Sequence, residues 1–83
     1  MEGYVYLLKS NKRNWHYIGS TTDLRKRLLR HNSGLVKSTK FDHPLNLIYY
    51  EAYSSYGLAK KREYELKNSN QKKEFLYKRL GIK

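Results

Sequence analysis

Three side chains in this sequence stand where ordinary packing would put an apolar one. If residues 24–32 form a helix turning by about 100° per residue, Leu24 and Leu28 share one stripe, and Arg27 and His31 fall on or beside it. A guanidinium at the edge of a core needs an anion or several acceptors. A phosphate would serve, as would Asp23 four residues earlier, and the long side chain could also reach water. The same construction on a second helical stretch groups Ala59, Glu63 and Leu66, with Arg62 at the margin, so Glu63 points inward while Glu65 points away. An inward carboxylate either pairs with a Lys or Arg, or holds a metal ion or moves a proton.

Nine tyrosines supply most of the aromatic content, and Tyr4, Tyr6, Tyr17, Tyr49, Tyr50 and Tyr53 fall in strand-like segments. Most read as sheet-face residues with wet hydroxyls, and one or two would face the site that holds Arg27 and Glu63. Gly19, two residues after Tyr17, leaves space beside the sheet for a ligand backbone. Other chemistries lack their residues. There is no cysteine, and His16, His31 and His43 do not have the spacing of a zinc site. Ser20 has no neighbouring His or carboxylate in triad order, and the glycines form no phosphate loop.

The elements that must position these residues are legible from local pattern. Tyr4 to Lys9 and Trp15 to Ser20 read as strands, joined by the polar stretch Ser10 to Asn14 into a β-hairpin. Thr21 or Thr22 offers an N-cap and Asp23 suits a helix start, so a first helix covers Leu24 to Asn32 and stops at Gly34. Leu35 to Pro44 reads as a basic loop. Leu45 to Tyr53 reads as a third strand, its apolar run suggesting burial on both faces. A second helix covers Leu58 to Lys67, and Ser69 or Asn70 caps a third that ends near Gly81. The order is ββαβαα, an α+β arrangement within the broad α/β class, with residues 1–83 expected to form one domain.

Eighteen Lys and Arg against seven Asp and Glu give a formal charge of +11. A polyanion would relieve that self-repulsion and release counterions, which makes nucleic acid the expected partner, DNA ahead of RNA. Arg25, Lys26 and Arg30 on the outward face of the first helix, with Lys37 and Lys40 in the basic loop, are the candidate strand contacts; a solubilising surface is the plainer account of each. No apolar run approaches the ~20 residues of a helical membrane span, so no membrane partner is expected. The N-terminus lacks a signal-peptide layout, and with the absence of cysteine the expected location is cytoplasmic.

Taken in order, Tyr4-Val5-Tyr6, Tyr17-Ile18-Gly19, Arg27 and Glu63 resemble the motifs of a GIY-YIG nuclease domain. The resemblance covers essentially the whole chain. It is closest to the small single-domain bacterial members, through Tyr17-Ile18-Gly19-Ser20-Thr21, Asp23-Leu24-Arg25-Lys26-Arg27, His31-Asn32-Ser33-Gly34 and Ala59 to Lys67. Tyr4 stands where the first triplet would have glycine. The resemblance implies a three-stranded antiparallel sheet flanked by helices, in agreement with the order read from the elements. It also implies Tyr6 and Tyr17 as the motif tyrosines, Arg27 as the helix arginine, Glu63 as the metal-binding glutamate and His31 as a histidine common in the small members. A supporting Asn occurs in some relatives, with Asn68 and Asn70 as the candidates here.

Phosphodiester hydrolysis is slow because charge builds on oxygens that are already negative. Arg27 could bind the non-bridging oxygens, and Glu63 could hold one Mg²⁺, or Mn²⁺, against the scissile phosphate. Tyr17 would take a proton from water, since a phenol becomes a usable base beside a metal or another cation. Tyr6 and His31 would orient or relay. The implied activity is a one-metal, metal-dependent endonuclease acting on DNA. The alternatives are a catalytically weak or inactive nucleic-acid-binding module and a basic protein that coats nucleic acid without a dedicated pocket.

Overall fold

The computed structural model describes residues 1–82. Its elements run β1 (Gly3–Ser10), β2 (His16–Thr21), α1 (Leu24–Asn32), β3 (Leu45–Tyr53), α2 (Tyr56–Asn68) and α3 (Asn70–Arg79), with a turn of 3₁₀ helix at Lys37–Thr39. The strands form one antiparallel sheet in the order β2-β1-β3. The α+β class, the three-stranded sheet and the order ββαβαα are those expected from the sequence.

β1 is the central strand and feeds a core on each face. Val5 and Leu7 pack with Ile18, Ala59, Leu66 and Leu76 beneath α2 and α3. Tyr6 and Leu8 point the other way, to Leu45, Leu47 and the α1 residues Leu24 and Leu28. Burial of each of these aliphatic side chains contributes roughly 1.5 to 3 kcal/mol, so the sheet is held from both sides rather than by one helix layer.

The strand expected to be buried on both faces, β3, is instead an edge strand whose residues alternate between covered and exposed. Its register slips between Leu7, paired with Tyr49, and Leu8, paired with Leu47, leaving Ile48 as an extra, bulged residue. Because side chains alternate with period two, one extra residue exchanges the two faces. Leu45 and Leu47 therefore serve the α1 side, while Tyr49 and Tyr53 serve the α2 and α3 side. Each half of β3 covers one face only. Leu45 to Tyr53 reads as a nearly continuous apolar run because the exposed positions between the covered ones carry Ile48, Tyr50 and Ala52.

Helix boundaries follow side-chain caps. The N-cap of α1 is Asp23, not Thr21 or Thr22: its carboxylate accepts from Lys26 N at 3.0 Å, and Thr21 Oγ1 in turn accepts from Asp23 N at 3.1 Å. α2 begins at Tyr56, two residues before the expected Leu58, because Ser55 is its cap and accepts from Leu58 N. Ser69 caps α3. Gly34 and Gly81 both lie at φ 74°, the left-handed conformation that ends helices cheaply only with glycine. Asn32 at the end of α1 clamps β3 through both backbone groups of Leu45, accepting from its N–H at 2.6 Å and donating to its carbonyl at 3.0 Å.

Candidate active site

Strand alternation puts Tyr6 on the α1 face of the sheet, with Gly19 directly opposite it on β2 and Tyr17 two residues earlier on the same face. The Tyr6 ring lies across Gly19. A Cβ built there would meet Tyr6 Cζ at 2.6 Å and Tyr17 Cε2 at 3.0 Å, with the Tyr6 hydroxyl nearer still. The space expected for a ligand backbone is thus filled by the protein's own tyrosine. Gly19→Ala is expected to displace Tyr6 and cost about 1 to 3 kcal/mol, the range for overpacking a tight core. Urea unfolding would measure it, and an unchanged midpoint would mean that Tyr6 is not held here.

Tyr6 is 2 % exposed and His31 fully buried, and its Nε2 lies 2.8 Å from the Tyr6 hydroxyl. The Nε–H of Arg27 donates to the same hydroxyl at 3.4 Å. Tyr17 closes the group, its ring centre 5.2 Å from His31 and 6.3 Å from Tyr6. Burial outweighs the hydrogen bond from Arg27 and pushes the Tyr6 phenol up to about 12. Burial, then the Arg27 charge, pushes His31 down to about 4, so the imidazole is neutral at neutral pH. Arg27 is held more firmly protonated by its bond to Tyr6. The pairing of Arg27 with Asp23 that helix spacing allowed is not made; Asp23 is engaged as the cap.

Glu63 approaches from the opposite face. On β2, Ile18 and Ser20 point toward α2, while Tyr17 and Gly19 point toward α1, so the site wraps around the free edge of β2. Glu63 accepts from the Ser20 hydroxyl and, at 2.7 Å, from Lys67 Nζ. The same ammonium lies 5.3 Å from the centre of the Tyr17 ring, linking the two faces. Burial raises the Glu63 carboxyl, but the bonds from Lys67 and Ser20 more than offset it, so the group is held below its ordinary value and is ionised at neutral pH.

Among the described residues no cluster of three or more His, Asp or Glu could hold a metal. A fully protein-ligated zinc site therefore does not fit. A hard cation that keeps most of its water and takes one carboxylate plus substrate phosphate does fit Glu63, an ionised carboxylate whose side chain is 18 % exposed. Lys67 would have to release one oxygen for it. Asn68 lines the same cleft with Lys60, Glu63, Tyr64 and Lys67, whereas Asn70 does not.

The candidate strand contacts divide. Lys26 and Arg30 join Arg27, Thr21, Thr22 and Asp23 around a groove of about 350 Å³. Arg25 lines a separate groove with Tyr4, Leu47 and Tyr50. Lys37 and Lys40 are exposed on the loop, Lys40 lying over the Phe41 ring. That loop is not free: Val36 and Thr39 are buried, and Arg13 Nε reaches Asp42 Oδ1 at 2.6 Å.

Three functional-looking residues escaped the sequence. Ser20 holds Glu63 rather than belonging to a triad, Lys67 bridges Glu63 and Tyr17, and Thr39 touches His31. Lys67 had a local signal, lying four residues after Glu63 on one helix. Ser20 and Thr39 had none, since each depends on a contact between distant elements. A further inward carboxylate, Glu51, is spoken for: Tyr49 and Tyr53 each donate to it at 2.6 Å and Arg62 donates at 2.9 and 3.1 Å. Those two tyrosine hydroxyls are therefore engaged by Glu51, and the margin position of Arg62 is explained.

The sequence pattern of the GIY-YIG catalytic domain matches residues 2–78. UPF0213 protein SSP2268 of Staphylococcus saprophyticus is 42% identical over 72 residues, which are 84% of this chain and 87% of that protein. UPF0213 protein YazA of Bacillus subtilis is 39% identical over 75 residues, 89% of this chain and 75% of that protein. The solution NMR structure of UPF0213 protein BH0048 from Bacillus halodurans matches with a TM-score of 0.58 at 38% identity, covering 94% of this chain and 84% of that one.

Proposed function

The chain belongs to the GIY-YIG family of nuclease domains, and from that premise we propose that it is a metal-dependent endonuclease that hydrolyses phosphodiester bonds in DNA. The observation that carries the proposal is the meeting of Arg27 and Tyr17 on one side of the β2 edge with ionised Glu63 on the other. Arg27, its Nε engaged by Tyr6, presents the rest of its guanidinium toward the groove beside Lys26 and Arg30, where it binds the non-bridging oxygens of the scissile phosphate. Glu63 would hold a single Mg²⁺ or Mn²⁺. Bound there, the ion would supply positive charge to the scissile phosphate and its leaving oxygen.

Tyr17, acting as the phenolate, takes the proton of the attacking water and returns to the phenol, with Lys67 beside its ring. Tyr6, with its phenol near 12, stays protonated and acts through hydrogen bonds, and neutral His31 serves as its partner. Both orient; neither changes charge around neutral pH. The test incubates the protein, with and without Mg²⁺ or Mn²⁺, on single-stranded, duplex and branched DNA and on RNA. Cleavage of DNA only in the presence of the ion is expected, with Tyr17→Phe slower by on the order of 10²-fold, the lower end of general base contributions. Equal rates for wild type and Tyr17→Phe would remove Tyr17 from the chemistry.

A further inference from the structure

We propose that Thr39 is a positioning residue for this site: by accepting the Nδ1 proton of His31, it locks the imidazole in the tautomer whose Nε2 accepts from Tyr6. The inference rests on the active-site reading above but concerns the unreacted protein. His31 and Thr39 are fully buried, Tyr6 nearly so, and His31 Nδ1 lies 2.7 Å from Thr39 Oγ1.

The direction of the chain follows from donor counting. A guanidinium only donates, so the Tyr6 oxygen is the acceptor in its contact with Arg27. The Tyr6 proton then needs an acceptor in a dry setting, and His31 Nε2 at 2.8 Å is the one in place. Nε2 therefore carries no proton. Burial keeps the ring neutral, so its one proton sits on Nδ1 and points at Thr39. Donation runs Arg27 to Tyr6 to His31 to Thr39. Reversed, the Tyr6 oxygen would accept twice while its own proton went unmet.

The scaffold holds Thr39 in place for this. Its N–H donates to Val36 O at 3.1 Å and its carbonyl accepts from Asp42 N at 2.9 Å. Asp42 is tied to β1 and the hairpin by Ser10 Oγ at 2.7 Å and by Arg13. The neighbours of Thr39, Ser38 and Lys40, are exposed, so this turn presents one hydroxyl inward. Threonine, branched at Cβ, has few rotamers to lose in doing so.

Ring ¹⁵N NMR of the full chain reads the tautomer directly, with His31→Gln assigning the signal against His16 and His43. Wild type and Thr39→Ser are expected to show His31 protonated on Nδ1. Thr39→Val, or Thr39→Ala if valine does not fold, is expected to lose that tautomer and to lower kcat by on the order of tenfold with KM unchanged, restored by Thr39→Ser. A wild-type His31 protonated on Nε2, or an unchanged tautomer without the hydroxyl, would overturn the assignment. Inactivity of the wild type on every substrate would sink the nuclease reading alone, because the tautomer is read without turnover.

Discussion

Glu63→Gln is expected to leave the fold intact and to lower Mg²⁺-dependent cleavage by on the order of 10² to 10³-fold, the size of losing one dedicated charge-stabilising contact in a transition state. Glutamine has nearly the shape of glutamate and still offers a carbonyl oxygen to the Ser20 hydroxyl. What it lacks is the charge that would hold a divalent ion. The partner left behind, Lys67, is 43 % exposed and can turn to water, so the lost ion pair costs at most about 1 kcal/mol of stability. A chelator applied to the wild type should reproduce the loss. Single-turnover cleavage across a metal titration, beside a melting curve, separates the effects, and full activity of Glu63→Gln at low Mg²⁺ would move the metal elsewhere.

The second large effect is expected at Arg27. Arg27→Ala should lower kcat/KM by roughly 10² to 10³-fold, whereas Arg30→Ala should weaken binding only severalfold and reduce its salt dependence. The difference follows from how the two side chains are held. Arg27 is half-buried and oriented by Tyr6, while Arg30 is exposed at the end of the same groove. Arg27→Lys keeps a charge but not the planar fork that can bond Tyr6 and a phosphate together, and should recover little. If Arg27→Ala and Arg30→Ala proved equally harmful, with the loss confined to KM, the protein would be a charged surface for nucleic acid rather than a site.

The features that could be read from the sequence were those decided within a few residues. Helix α1 is written in the spacing of Leu24, Leu28 and His31 and in the stop at Gly34, and it emerges with those bounds. Glu63 and Arg27 were legible as anomalies because helical periodicity shows when a charge lies on a stripe that should be apolar. Periodicity could not say that they arrive from opposite faces of the sheet, which depends on β2 being an edge. Gly19 looked like an opening since a missing side chain marks space, not what fills it. Thr39 sat in a polar stretch with Ser38, and only the 3₁₀ turn distinguishes the hydroxyl that points inward. The double burial expected of β3 failed for a related reason: Ile48, Tyr50 and Ala52 are apolar yet exposed, and one strand alone does not record that it lies at the edge of a sheet.

That bulge at Ile48 makes β3 a strand of two halves with separate duties. Leu45 and Leu47 brace the layer under Tyr6 and α1, and Tyr49, Glu51 and Tyr53 brace the layer under α2. Removing Ile48 would not exchange the faces, because Leu47 and Tyr49 would become neighbours, still opposite Leu8 and Leu7, on opposite faces as a regular strand requires. A deletion within either half, with the bulge kept, would instead turn the residues beyond it inside out. The bulge is thus where β3 can lose a residue and leave both cores with the side chains they have.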